Sequence, residues 1–279
     1  MTYSVDMTVD HSAQTTLITG ASSGIGAALA RRLAKRGSNL VLVARRAERL
    51  EALAAELRSS HGVVVETVSA DLGRPGAGRA LAAEIDRRGI RVTSLVNNAG
   101  VGADGAFRDQ APEELDALVA LNVTAVVDVT RAFLDRLCEN SGGYLVNVAS
   151  AAAYQPIPGM AVYAASKAFV LNFTEALWWE TRGSGLRTMA FSPGLTRTEF
   201  FDAIGTEGYE GGFQTPDEVA LALVLALDRR RSAPSAVAQT SITAASVLNG
   251  LLSRRASLLV TARVAGSPGL MRKRRTATA

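Results

Sequence analysis

The sequence predicts a doubly wound, mostly parallel α/β sheet with helices on both faces, in three layers. Three observations lead there. Short β-prone runs and amphipathic helical segments alternate from Thr15 to Phe191, the pattern of repeated strand–helix–strand units. The run Leu40-Val41-Leu42-Val43 is continuously apolar, as a strand covered on both faces requires. A glycine cluster also separates the first apolar strand from the first helix.

The elements follow in order. Thr15–Thr19 is a strand, and Ile25–Arg36 is a helix with Ile25, Leu29 and Leu33 at helical spacing. Asn39–Ala44 is the second strand. Glu48–Arg58 follows as a helix, with Leu50, Leu53 and Leu57 on one side. Strand Val63–Val68, helix Ala77–Arg88 and strand Ser94–Asn97 come next. A long helix is expected over Pro112–Cys138, with proline near its start, where the missing N–H is tolerated. Strand Tyr144–Ala149, helix Met160–Thr181 and strand Leu186–Phe191 complete the regular part. Beyond Pro193 the alternation weakens. Phe200–Gln214 holds Gly205, Gly208, Gly211 and Gly212 together with Phe200, Phe201, Tyr209 and Phe213, and reads as a lid or binding loop. Pro216–Arg229 is a further helix, and Ala236–Thr240 is a weak final strand. The organisation is thus an extension over 1–14, a catalytic domain over 15–240 with its lid at 200–214, and a basic extension over 241–279.

At 279 residues the chain has room for one large α/β domain. The single cysteine, Cys138, excludes an internal disulfide framework and fits a reducing, cytoplasmic setting. With only His11 and His61 beside it, no metal-ligand spacing is present. The start, with Asp6 and Asp10, lacks the pattern of a secretory signal, and no apolar run is read as a membrane span. The formal charge of +4 is uneven. All 26 acidic residues lie at or before Asp228, whereas ten of the 30 basic residues lie from Arg229 onward. The body is therefore acidic and the tail strongly basic.

The turn Thr19-Gly20-Ala21-Ser22-Ser23-Gly24-Ile25-Gly26 joins a strand to a helix. Glycines there let the backbone turn sharply and approach a ligand, and the helix N-terminus offers free N–H groups to a diphosphate. A dinucleotide is the expected occupant. An acidic residue after the second strand would bind ribose hydroxyls and repel a 2′-phosphate. This chain has Arg45 and Arg46 there, whose forked donors suit a phosphate, with Ser22 as an added hydroxyl donor. NADP(H) is therefore expected over NAD(H). Tyr163 and Lys167 lie four apart, on one helix face, and Ser150 precedes the tyrosine by thirteen residues. An ammonium beside a phenol lowers its pKa toward neutrality, so the phenol can exchange a proton with a carbonyl or alcohol oxygen. A neighbouring hydroxyl could hold that oxygen. Taken alone, a Tyr–Lys pair at this spacing is also a common packing pattern.

Together the glycine turn, Asn97-Asn98-Ala99-Gly100, Asn122, Ser150, Tyr163, Lys167 and Pro193-Gly194 with Thr196 and Thr198 resemble the short-chain dehydrogenase/reductases, in their shorter single-domain branch. The motifs cover roughly residues 15–200 in the family's order. The resemblance implies a Rossmann fold. It implies that Tyr163 is the general acid/base, that Lys167 lowers its pKa and binds the nicotinamide ribose, and that Ser150 steadies the reacting oxygen. It implies that Asn122 holds a water linking Lys167 to solvent. Cofactor contacts are implied for Gly20, Ser22, Ser23, Gly24, Ile25, Gly26, Arg45, Arg46, Asp71, Leu72, Asn98, Ala99, Gly100, Tyr163, Lys167, Pro193, Gly194, Thr196 and Thr198. A homodimer or homotetramer is also implied, with Trp178 or Trp179 at an interface or in the core.

The expected activity is oxidoreduction between a carbonyl and a secondary alcohol, with a small-molecule substrate and no nucleic acid partner. A non-catalytic dinucleotide sensor keeps the glycine turn without needing the proton-handling residues. A sugar epimerase or dehydratase shares Tyr-x-x-x-Lys but needs a larger substrate domain. The tail departs from the family: Leu251, Leu252, Leu258, Leu259 and Val260 alternate with Arg254, Arg255 and Arg263 before the basic end. It suits either a helix packed on the body or contact with an anionic membrane surface.

Overall fold

The computed structural model describes residues 8–140, 142–200, 212–230, 233–239 and 253–264. Seven strands form one parallel sheet in the order β3-β2-β1-β4-β5-β6-β7. They are β1 (Thr15–Thr19), β2 (Asn39–Ala44), β3 (Val65–Ser69), β4 (Ser94–Asn97), β5 (Tyr144–Val148), β6 (Arg187–Ser192) and β7 (Ser235–Val237). Strand β1 is paired on both sides, Leu17 lying opposite Val41 of β2 and Leu95 of β4. The winding reverses direction between β1 and β4, which opens a crevice at the carboxyl ends of those strands.

Helices cover both faces, as the unbroken apolar strands require. On one face lie α1 (Gly24–Ala34), α2 (Ala47–His61) and α7 (Pro216–Leu227), which bury Leu29, Leu33, Leu50, Leu57 and Val224 against Leu40, Leu42 and Val146. On the other lie α3 (Ala77–Arg87) and α5 (Ala125–Glu139), with Leu81, Ile85, Val129 and Phe133 over Leu17, Val43 and Leu95. Helix α2 stops where Gly62 takes φ +66°, a left-handed turn that favours glycine. Helix α7 starts with a reciprocal cap between Thr215 and Glu218 and a proline in its first turn.

Element boundaries agree with the sequence reading to within a few residues, with three informative differences. The expected single helix over Pro112–Cys138 is interrupted. Helix α4 (Pro112–Val119) passes into a π-helical turn over Ala120–Thr124 before α5 begins. A π turn inserts one extra residue and widens the helix, and here it carries the buried Asn122. Pro112–Glu139 as a whole is long and apolar enough to cross a membrane by length and composition, contrary to the sequence reading. It instead contributes buried core residues beside α3 and β4. The weak last strand is real but shorter, Ser235–Val237, and pairs in parallel with β6.

Within the extension before β1, residues 8–14 are described; there His11 is buried and its Nε2 lies 2.9 Å from Asp228. His61 is the last residue of α2, next to its glycine cap. Trp179 is exposed. In the tail, α8 (Arg254–Val264) is helical, and its apolar Leu258, Leu259 and Val260 are exposed whereas Ser257 and Thr261 are buried. The rest of the tail expectation, and the lid from Phe201 to Gly211, lie outside the described residues.

Helices α3 and α5 touch at Gly78. A Cβ built there would stand 2.5 Å from the backbone of Asp128 and Val129, while the Gly78 N–H donates to Asp128 Oδ2 at 2.7 Å. Gly78→Ala should therefore lower the unfolding free energy by about 1–3 kcal/mol through overpacking. Urea unfolding should show a lower midpoint at unchanged slope.

Candidate active site

The site begins where β1 ends. Gly20 has φ +67° and Gly24 has φ +54°, so the chain doubles back within a few residues before α1 starts. A Cβ at Gly20 would lie 2.8 Å from Ala99 Cα, and one at Gly26 would lie 2.4 Å from the Gly20 carbonyl oxygen. The close approach is fastened by hydrogen bonds. Thr19 Oγ1 accepts from the Asn98 and Ala99 N–H groups at 3.0 Å each, and Asn98 Nδ2 donates to the Thr19 and Gly20 carbonyls. Ser23, at the N-cap of α1, makes no side-chain cap bond, so the first N–H groups of the helix face the crevice.

A cavity of about 790 Å³ follows this crevice. At the end near β2 and β3 it is lined by Arg45, Arg46, Asp71 and Leu72, and at the end near β5 and α6 (Ala161–Glu180) by Ser150, Tyr163 and Lys167. Between them lie Gly20, Ser22, Ser23, Gly24, Ile25, Asn98, Ala99 and Gly100, with Pro193, Thr196 and Thr198 on the opposite wall. Most residues singled out in the sequence therefore meet in one cavity. Gly26, Gly194 and Asn122 are not on its surface. Gly26 packs behind the turn, the Gly194 carbonyl accepts from Thr196 Oγ1, and Asn122 lies behind Lys167.

At the end near β5, Tyr163 and Lys167 both lie on α6 and are buried. Ser150 precedes the 3-10 turn Ala151–Tyr154, accepts from the Ala152 N–H, and lines the cavity beside Tyr163. Lys167 Nζ donates to the Val148 carbonyl at 2.9 Å. Asn122 is locked on both sides. Its Oδ1 accepts from Val101 N–H at 2.9 Å, and its Nδ2 donates to the Val101 carbonyl at 2.8 Å and to Ser166 Oγ. Gly100 leaves a gap before them, since a Cβ there would be 3.1 Å from Asn122 Oδ1 and 3.4 Å from Lys167 Nζ.

The electrostatics correct one expectation. The protein groups alone do not lower the phenol's pKa. Burial pushes Tyr163 upward, and the neighbouring Ser150 hydroxyl only partly opposes this. Burial likewise lowers Lys167 from 10.5 to about 8, because a low-dielectric setting disfavours each charged form. The ammonium faces a carbonyl dipole, 6.0 Å from the phenol ring centre. A lowered phenol pKa therefore needs a further charge in the cavity, which the cationic nicotinamide of an oxidised cofactor would supply.

Sequence reasoning missed several residues. Val101 positions Asn122 through backbone atoms, which carry no side-chain signature. Phe200, read from the sequence only as a lid aromatic, packs 5.3 Å from the Tyr163 ring, centre to centre, and fills the space that Gly102 leaves open. Arg49 and Glu199 form an ion pair beside Arg46. The helical spacing of Arg45, Arg46 and Arg49 was a usable signal for the arginine; Glu199 had none.

Comparison with known proteins decides the family. The family model described as short chain dehydrogenase matches residues 14–207. The chain belongs to the short-chain dehydrogenase/reductase family. It is an oxidoreductase of that type. Among curated relatives it is 41% identical over 190 residues to sulfoacetaldehyde reductase 2 of Chromohalobacter salexigens, covering 66% of this chain and 73% of that protein. It is 40% identical over 189 residues to serine 3-dehydrogenase of Rhizobium radiobacter, covering 67% and 73%. Among solved structures, a short-chain dehydrogenase from Sphingobium yanoikuyae in complex with NADPH superposes with a TM-score of 0.77 at 39% identity, covering 85% of this chain and 92% of that one. A nicotinamide dinucleotide fits the residues present: a cradle where a Cβ would clash, open helix N–H groups, and cations at one end.

The buried lysine has a pH signature. Between about pH 8 and 10.5 the folded chain has released the Lys167 proton while the unfolded chain still holds it, so stability rises with pH across that window. Relative to Lys167→Met, the wild-type unfolding free energy should climb by at most about 3 kcal/mol there. Denaturant melts at several pH values test this, and a flat difference would contradict it.

Proposed function

We propose that this protein interconverts a carbonyl and a secondary alcohol with NADP(H), and that its substrate is uncharged and largely apolar at the reacting end. One observation carries the reading: the Ser150, Tyr163 and Lys167 side chains line one end of the cavity together, with Asn122 behind Lys167. A carbonyl oxygen placed between the two hydroxyls would receive a hydrogen bond from Ser150 and a proton from the Tyr163 phenol in reduction, with the roles reversed in oxidation. A bound nicotinamide would supply or accept the hydride. Lys167 holds the ribose side of the site and, through the gap at Gly100, faces the route along which a water on Asn122 would pass protons.

NADP(H) is favoured by Arg45 and Arg46 at the end of β2, with no acidic residue there, and by the NADPH bound to the Sphingobium relative. The substrate class follows from the wall around Tyr163, which is Val101, Ile157, Met160 and Phe200. Among the described lining residues, the cations other than Lys167 are Arg45 and Arg46, at the far end. A sulfonated aldehyde or an amino acid, as the names of the two curated relatives indicate for them, would find no cation for its acid group near Tyr163 among the described residues other than Lys167. The reading includes a cytoplasmic homo-oligomer.

Tyr163→Phe should leave NADPH affinity within about twofold and lower turnover by roughly 10²–10⁴-fold. Titration by NADPH fluorescence and an absorbance assay over a panel of ketones and aldehydes measure both. NADPH binding without turnover of any panel member would favour the sensor reading. In the same titration NADPH should bind at least about tenfold tighter than NADH; an equal or reversed preference would overturn the NADP assignment.

A further inference from the structure

Glu199 spans two arginines at the adenosine end of the cavity. Its Oε2 accepts from Arg46 Nη1 at 2.7 Å, and its Oε1 accepts from Arg49 Nη1. The other edge of the Arg46 guanidinium is held by the glycine turn, with Nη2 donating to Ser22 Oγ at 3.0 Å and to Ser23 Oγ at 2.7 Å. The carboxylate therefore occupies donors that a phosphate beside Ser22 and Arg46 would use. It is about half exposed, as are both arginines, so the contact can exchange with a ligand. The two hydrogen bonds hold its pKa at about 2, which keeps it charged at any working pH. Among the described residues no carboxylate pairs with the neighbouring Arg45.

We propose that Glu199 is an internal counter-anion for Arg46 and Arg49 that a 2′-phosphate on the cofactor must displace. It thereby limits how strongly the chain distinguishes phosphorylated from unphosphorylated dinucleotides. The inference rests on the NADP(H) reading above and adds to it a residue that opposes the preference. The charges decide the outcome. A phosphate brings about −1.5 to −2 at neutral pH against the single charge of the carboxylate, so exchange favours phosphate, but by less than if the arginines were unpaired. A neutral ribose hydroxyl cannot replace a carboxylate on two guanidinium groups, so an unphosphorylated ligand leaves the pair intact. Removing the charge at Glu199 should consequently affect only ligands that carry the 2′-phosphate.

Calorimetric titration of the full chain with 2′,5′-ADP and with 5′-ADP separates the cases. Glu199→Gln should bind 2′,5′-ADP roughly three- to tenfold tighter, in line with the modest worth of two exposed ion pairs, and 5′-ADP within twofold of wild type. Its affinity for 2′,5′-ADP should also fall more steeply with salt than that of wild type, because no internal anion is exchanged on binding. Weaker binding of both ligands would mean that the carboxylate closes over the cofactor, and unchanged binding of both would mean that it is indifferent; either overturns the proposal. Wild type binding 2′,5′-ADP no better than 5′-ADP would remove the NADP(H) reading and this inference together. A clear wild-type preference with no effect of Glu199→Gln would remove this inference alone.

Discussion

The rest of the site depends on the seam between β1 and β4, where the sheet changes its winding direction. Two strands can hold a crevice open at their carboxyl ends only if their following turns diverge, yet these turns must also support each other. Thr19 and Asn98 resolve this by exchanging side-chain and backbone hydrogen bonds directly beneath the crevice. The missing side chains at Gly20 and Gly26 let the two backbones approach. The seam fixes where α1 presents its free N–H groups, and hence where a diphosphate can sit relative to both ends of the cavity.

From that seam a second set of buried polar groups extends toward the reacting end. Asn97 Nδ2 donates to Thr130 and to Asn147, and Asn147 Nδ2 donates to Thr174, which ties β4 and β5 to α5 and α6. Beside it, Asn122 bonds the Val101 backbone and Ser166, and Ser166 Oγ donates to the Tyr163 carbonyl. Buried polar groups are costly unless paired, so each satisfied bond restricts where α6 can lie. Tyr163 and Lys167 are held in place largely by residues that never face the cavity. The π turn belongs to this scheme, because the widened backbone carries Asn122 toward Val101.

The two ends of the cavity differ in how they treat charge. Near β2, exposed arginines meet a carboxylate that water can reach. Near β5, Lys167 is buried and gives up charge more readily, and Tyr163 resists gaining it. Burial thus disfavours the charged form of both groups, although Lys167 stays mostly protonated below about pH 8. The tyrosine–lysine spacing suggested the opposite for the phenol, because spacing along a helix conveys proximity but not solvation. At this depth desolvation outweighs an ammonium that points to the Val148 carbonyl.

Much of the fold and the site could be read from the residues. Continuous apolar strands, glycines that admit close backbone contact and a tyrosine–lysine helical pair are local patterns, and local chemistry explains them. They determined the sheet and pointed to the crevice at its switch point and to Ser150, Tyr163 and Lys167 at one end of it. What only the tertiary structure decided depends on contacts between distant segments. The π turn under Asn122, Val101 behind it, Phe200 against Tyr163, and Glu199 on two arginines some 150 positions away all arise that way. The outward apolar face of α8 is of the same kind. A sequence specifies which groups can bond or pack, whereas which of them meet, and how much water remains between them, is settled when the sheet brings its turns together.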